Sequence, residues 1–378
     1  MSKIGVHIVI GPRTGYGEFL RRIAPTIQPS SPLVVKCVGD FGAALEAKQI
    51  IGNDRVLAIG RKAGEGWEGL DVHAEGGTPP ATIAAAHFAQ VYEPAVKANP
   101  HIDIWEPCNE WSAHWSWQAD FYIALAPHFE ARGKRIGMYA FSTGNPPAEA
   151  HTAIARACAA LKSKGHILTS HEYGGVGVSI PTLRDTQPFH ALRYRSLYAT
   201  LKAQNAVVPL VISETGQNAG FEFIGVEPFI NDFSWYDAEL SKDAYVIGAT
   251  AWTLGNWAQA NFQEALPALA DYIATHPTPL PTVEEPPPEP ALSRGTPRTQ
   301  YMRIYNVIPP TATLEEATHI FQAAWKRSRE TVGGSYDDAG VGDLDVRVAV
   351  LHGIPEAQRQ TFIEWFAEHY PGVSVEFA

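Results

Sequence analysis

The chain has 378 residues, 45% hydrophobic and 18% charged, the make-up of an ordinary globular protein with room for one large domain and a smaller one. Its net charge of −11 offers no basic stripe to phosphates and argues against nucleic acid as a partner, and no apolar run reaches membrane length. Cys37, Cys108 and Cys158 are odd in number and follow no metal-binding spacing, so they read as buried free thiols and not as a disulfide framework.

The first residues, Met1 to Gly11, are too short and interrupted for a secretory signal and read as a first strand. The expected location is the cytoplasm, or outside it if an export signal lies beyond this sequence. Short apolar runs then recur at Lys3–Ile10, Pro32–Val38, Arg55–Arg61, His101–Cys108, Arg135–Phe141, His166–His171, Pro209–Ser213 and Val246–Trp252. Helical patterns separate them at Glu18–Ile27, Ala43–Ile51, Ala81–Lys97, Ser116–Ala131, Ala148–Lys164, Phe189–Gln204 and Asp232–Lys242, and Gln263–Thr275 closes the series. Strands without strict alternation belong to a parallel sheet covered on both faces. Eight βα units in residues 1–275 predict an α/β fold, a (β/α)8 TIM barrel. No Gly-x-Gly-x-x-Gly opens a helix, so a nucleotide-binding open sheet has no support.

After Thr275 the composition changes. Residues 276–298 hold eight prolines together with Glu284, Glu285 and Glu289, a semi-rigid linker. Residues 299–378 read as a small βαβαβ module: strand Tyr301–Ile308, helix Leu314–Val332, strand Val346–His352, helix Glu356–Tyr370 and strand Val373–Phe377. Thr313 and Glu316 form a capping-box pattern. Its loop Gly334–Asp345 carries four aspartates at no calcium-loop spacing and reads as a solvated acidic turn. An accessory module on a proline linker suggests delivery to a surface or to another protein.

Chemistry in a barrel sits where strands end, at the C-terminal face. Two strand ends stand out. His101–Trp111 finishes a strand with Asn109-Glu110, and Pro209–Gly216 delivers Glu214 to the end of another. Two strand-end glutamates three units apart are what a retaining glycosidase needs, one acid for the leaving oxygen and one nucleophile for the sugar. His171 and Tyr173, spaced i and i+2 at the end of strand six, share a face and look into the mouth. Trp252 ends strand eight. The long Gly-rich segment Lys62–Pro80, with Trp67 and His73, is expected to rim the same face, and Glu106 to pair with Lys36 or Arg61. His114, Trp115 and Trp117 either line outer subsites or pack the start of a helix.

With these residues in place, residues 1–275 resemble the clan A glycoside hydrolases, the (β/α)8 group that includes families 5 and 39. Asn109-Glu110 after strand four, Glu214 in Ile-Ser-Glu-Thr-Gly after strand seven, and Trp252 after strand eight carry the likeness. It implies Glu110 as acid/base and Glu214 as nucleophile in the double displacement of an oligo- or polysaccharide, with no cofactor and no metal. It also implies Asn109 at the 2-hydroxyl of the sugar, with Tyr173 or His171 bonded to Glu214. Trp252 then forms a floor, and Trp111 and Lys36 join the substrate-binding set. Glu110 must hold a proton near neutral pH, which apolar neighbours (Trp105, Cys108, Trp111) and the charge of Glu214 favour. The sequence departs from the clan at Lys36-Cys37-Val38-Gly39-Asp40, where an arginine is usual, and at Cys108, where a tryptophan usually precedes the Asn-Glu pair. A non-catalytic carbohydrate-binding or attachment protein on the same barrel is the alternative. A metal-dependent barrel hydrolase lacks its usual His-x-His on strand one, where His7 stands alone.

Overall fold

The computed structural model describes residues 2–63, 70–174, 182–217, 224–257, 260–275, 303–308, 313, 316, 320, 330–333, 346–369 and 373–378. The chain divides into two compact units, Met1–Leu280 and Pro281–Ala378.

The first unit is a closed barrel of eight parallel strands: β1 Ile4–Val9, β2 Leu33–Val38, β3 Val56–Arg61, β4 Ile104–Trp105, β5 Arg135–Phe141, β6 Ile167–Tyr173, β7 Leu210–Gly216 and β8 Val246–Leu254. The first strand pairs with the last and closes the sheet. Helices follow the strands, and the apolar shell between the two layers is continuous around the ring. The ladder of β4 is shorter than the sequence predicts because Pro107 has no N–H to extend it. The helical region after β3 runs from Pro80 to Ala98 but widens to a π-turn at Phe88–Tyr92, beside Pro94, which lacks an amide hydrogen. The helix expected from Asp232 begins earlier, at Val226, because Pro228 falls in the first turn, where its missing N–H costs nothing.

Alternation sorts the strands into an outer and an inner set. Val34, Leu57, Ile59, Ile104, Ile167 and Val211 form a separate apolar cluster, the plug of the barrel. One step of two residues further along the same faces come Lys36, Arg61, Glu106 and Ser213. The interior therefore changes from dry to charged at the C-terminal end. A methyl added at Gly248 would stand 2.6 Å from Val34 Cγ2, so β8 needs a bare backbone there for the plug to fit.

The second unit is a four-stranded parallel sheet in the order β10-β9-β11-β12, formed by β9 Arg303–Val307, β10 Glu330–Gly333, β11 Val346–Leu351 and β12 Ser374–Phe377. Three strands were expected. The fourth, β10, occupies the end of the segment read as helix up to Val332, because pairing along β9 overrides a local helical pattern. Val307, Ala349, Leu351, Ile354 and Phe366 make its core, with Phe366 supplied by the helix Glu356–His369. The capping box is present: the Thr313 backbone N–H donates to Glu316 Oε2 at 2.8 Å, and the Glu316 N–H donates back to Thr313 Oγ1 at 3.3 Å. The proline linker and the acidic loop Gly334–Asp345 lie outside the described residues.

Candidate active site

Glu214 reaches the interior through an irregularity in β7. The register against β6 runs Ser170 opposite Ile212 and then His171 opposite Glu214, so β7 holds one extra residue, Ser213. A bulge of this kind re-aims side chains, and here Ser213 and Glu214 both turn inward. Lys36 Nζ lies 3.0 Å from Glu214 Oε1 and 3.5 Å from Ser213 Oγ.

Glu214 is the hub of the pit. Its Oε1 stands 3.0 Å from Lys36, 3.1 Å from Arg61 Nη1 and 3.5 Å from His7 Nε2. Its Oε2 accepts from the Tyr173 hydroxyl at 2.8 Å. Burial opposes the charge on this carboxyl. The electrostatic pull of His171, Lys36 and Arg61, with His7 close by, outweighs that penalty and holds it well below the usual carboxylate range. Lys36 also sits 2.6 Å from Glu106 Oε2, the ion pair expected for Glu106, with both side chains fully buried. Glu106 is lowered for the same reasons: burial works against it, and Lys36, His171 and Arg61 prevail. His7, pushed down to about 4 chiefly by burial, is neutral near neutral pH, with its other ring nitrogen 2.7 Å from Thr253 Oγ1.

Glu110 enters from the neighbouring side. Its backbone takes φ 55, a left-handed conformation uncommon for a side-chain-bearing residue. Its N–H is bonded to the Ala140 carbonyl at 3.0 Å, in the stretch where β5 departs from regular register. Such conformations persist where surrounding structure over-determines them, which is commonest at functional sites. The side chain is 39% exposed, and its Oε1 accepts from His171 Nδ1 at 2.8 Å. The same nitrogen stands 3.6 Å from Glu214 Oε2. One imidazole thus bridges the two carboxylates, and the sum of those two lengths is the upper bound on the separation of the two oxygens.

The remaining candidates divide. Tyr173 and Trp252 meet edge to face at 5.7 Å beside Glu214. Asn109 is half-buried, and its Oδ1 has no hydrogen-bond partner among the described residues. Lys36, placed among substrate-binding residues by the sequence, is fully buried and serves Glu214 and Glu106 instead, because alternation puts it on the inner face below the mouth. Trp111 is also buried, and its indole N–H donates to Asp71 in the segment after β3. Trp117 donates to the Thr78 carbonyl at 2.9 Å and stacks on Phe121, so it packs the helix start, and Trp115 packs against Tyr139 and Phe141. Two of the apolar residues expected around Glu110 lie elsewhere. Trp105 and Cys108 belong to the outer shell, Trp105 edge-on to Phe41 and Tyr92, since an inward Glu106 forces its neighbour outward.

Of the segment Lys62–Pro80, Trp67 lies outside the described residues, and His73 is exposed on the helix Leu70–Glu75. Arg61 and His7 carry more of the site than the sequence suggested. The signal was available: each stands two residues beyond an inward position of its strand. Among the described residues, no group of three or more His, Cys, Asp or Glu side chains is arranged to hold a metal ion, and no helix is long and apolar enough to cross a membrane.

No protein-family model matches the chain, and no curated protein matches it in sequence. Solved structures that align with it include a β-glycosidase, at 11% identity and TM-score 0.40 over 69% of this chain and 86% of that one. A hyperthermophilic β-glucosidase from Pyrococcus furiosus aligns at 11% identity and TM-score 0.37, covering 72% and 94%. A glycoside hydrolase family 5 enzyme from Prevotella bryantii B14 aligns at 12% identity and TM-score 0.39, covering 72% and 95%. Sequences this divergent transfer no residue role, so the chemistry of this chain is argued from its own side chains.

Proposed function

We propose that the protein is a retaining glycoside hydrolase that cleaves O-glycosidic bonds of an oligo- or polysaccharide. The observation that carries this reading is the pair of carboxylates on one imidazole, with His171 Nδ1 2.8 Å from Glu110 and 3.6 Å from Glu214. Two carboxyl groups that share one ring nitrogen are held close, and that closeness is the ground for reading a retaining pair and not an inverting one, whose groups stand roughly 6.5–9.5 Å apart to admit a water. The groups of a retaining pair stand roughly 5–5.5 Å apart.

The two environments suit two different tasks. Glu214, buried among Lys36, Arg61 and His7, stays ionised and attacks the anomeric carbon. Glu110, open to the pit, donates its proton to the leaving oxygen. Once Glu214 is tied up as the glycosyl ester, Glu110 takes a proton from the incoming water, and the bond from Glu214 to the sugar breaks. Tyr173 holds Glu214 Oε2 until the attack, and Trp252 beside it offers an apolar face to the ring. Asn109, with its amide oxygen unclaimed among the described residues, would accept from a sugar hydroxyl.

The test is hydrolysis of aryl glycosides by wild type and by Glu214→Ala in azide. A variant rescued by azide, giving a glycosyl azide of inverted configuration, supports the assignment. Full activity in both Glu110→Gln and Glu214→Gln rejects it. Sugar binding without turnover on a broad panel favours a non-catalytic carbohydrate-binding protein.

A further inference from the structure

Trp257 is the one exposed tryptophan among the described residues, at 54% of its surface. It lies just past the end of β8, with its ring 5.3 Å from Trp252 and tilted by 59°. Trp252 meets Tyr173, and Tyr173 bonds Glu214, so the aromatic row leads outward from the proposed nucleophile. Hydrogen bonds anchor the Trp257 main chain. The Asn256 N–H donates to the Ile10 carbonyl at 2.9 Å, and the N–H groups of Ala260 and Asn261 both donate to the Trp257 carbonyl at 2.9 Å. The Asn261 side chain donates to the Gly255 carbonyl at 3.0 Å. Gly255 takes φ +115, and a Cβ there would stand 2.5 Å from the Val9 carbonyl oxygen, so the turn closes down on β1 only with glycine. The opposite side of the pit is polar. Around Glu110, Ser112 Oγ and Ser142 Oγ are 3.1 Å apart, and Asn145 Nδ2 donates to Ser142 at 2.9 Å.

We propose that Trp257 is the stacking platform of a second sugar subsite on the glycone side of the cut, so that the preferred substrate presents at least two sugar rings ahead of the scissile bond. This rests on the glycosidase reading above. The ring attacked by Glu214 lies over Trp252, and the next ring of the same chain is the neutral, flat-faced group that an exposed indole one step further out receives. An indole has only two side-chain torsions to order, so presenting that face costs little.

The test compares kcat/KM for p-nitrophenyl glucoside, mannoside, galactoside and xyloside with the matching 1,4-linked disaccharide glycosides. For the sugar that turns over, the disaccharide should be preferred by about 10-fold or more, and Trp257→Ala should cost it about 10-fold more than it costs the monosaccharide. Trp257→Phe should recover most of that preference. Equal losses on both substrates, or no loss on either, overturn the platform while leaving the two glutamates untouched. Should no aryl glycoside turn over, the glycosidase reading fails on its own, and the subsite is judged by calorimetric titration of cellobiose, mannobiose, lactose and xylobiose. Binding that Trp257→Ala loses sustains it; binding equal in the two proteins, or absent in both, ends it.

Discussion

Lys36 Nζ stands 3.0 Å from Glu214 Oε1 inside the barrel, with Lys36 fully buried and Glu214 8% exposed. A compact ammonium shared by Glu214 and Glu106 is the counter-charge that lets two carboxylates sit in a dry interior. Lys36→Met removes that charge and keeps the volume. It should destabilise the protein by about 3–5 kcal/mol, the cost of leaving a buried ion without its partner. Lys36→Arg should not restore the wild-type value, because a planar fork does not replace a point charge between two oxygens. Urea unfolding of the three proteins decides it, and a Lys36→Met variant as stable as wild type would remove the ion cluster from the account of Glu214.

The same cluster sets the acid limit. A carboxyl depressed below its unfolded value adds stability above that value and loses it as pH falls through the depressed one. Glu214 and Glu106 should therefore keep their contribution above the ordinary value of 4.5 and give it up in stronger acid. His7, at about 4, works in the same direction, since the unfolded chain binds its proton first. The acid limb of kcat/KM should fall below pH 4.5 in wild type and move upward in Lys36→Met. A limb at the same pH in both proteins contradicts this.

Glu172 shows the opposite sign. It follows His171 in β6, points away from the pit, and is pushed up to about 7 by burial, although the Tyr236 hydroxyl and the Leu192 N–H both donate to it. A raised carboxyl contributes its stability below the unfolded value and loses it as pH rises through about 7. Glu172→Gln keeps an acceptor and removes the ionisation. Unfolding free energies should therefore match or fall slightly below wild type at pH 5 and exceed it at pH 8 by up to about 3 kcal/mol. A variant less stable than wild type at both values would refute this.

Glu110→Gln separates acid catalysis from attack. With a poor leaving group such as an alkyl glycoside, kcat/KM should drop by about 10²–10⁴. With a dinitrophenyl glycoside, whose oxygen needs no proton, formation of the glycosyl-enzyme should stay near wild type in a burst experiment. An equal loss on both substrates would mean that Glu110 positions the sugar and does not protonate it.

Asp71 holds the segment after β3 to the segment after Glu110, through the Trp111 indole N–H and His114 at 3.9 Å. Asp71→Ala leaves that buried N–H without its acceptor, a loss of about 1–3 kcal/mol. KM for a long oligosaccharide should rise several-fold while kcat changes little. A fall in kcat with unchanged KM would place Asp71 nearer the chemistry than its contacts do.

The barrel was legible in the order of apolar runs and helical patterns, because eight parallel strands covered on both faces leave the same short signature eight times. Asn109, Glu110, His171, Tyr173, Glu214 and Trp252 were legible as strand-end residues, since the C-terminal face of a barrel gathers them whatever their distance along the chain. The buried interior was only half legible. The step of two residues from Val34, Ile59 and Ile104 to Lys36, Arg61 and Glu106 is written in the sequence, but only a closed sheet aims those three side chains at one point.

Tertiary structure decided the rest. The extra residue in β7 shows itself only against the register of β6, and it turns Glu214 toward Lys36. The left-handed backbone of Glu110 depends on the carbonyl of Ala140, thirty positions further along, and the loss of Trp111 to Asp71 depends on a segment from the preceding unit. The strand Glu330–Gly333 formed where a local helical pattern met a neighbouring strand edge. Local sequence states what a residue can do, whereas register, closure and long-range hydrogen bonds select which partner it meets, because those free energies belong to pairs of segments and not to either segment alone.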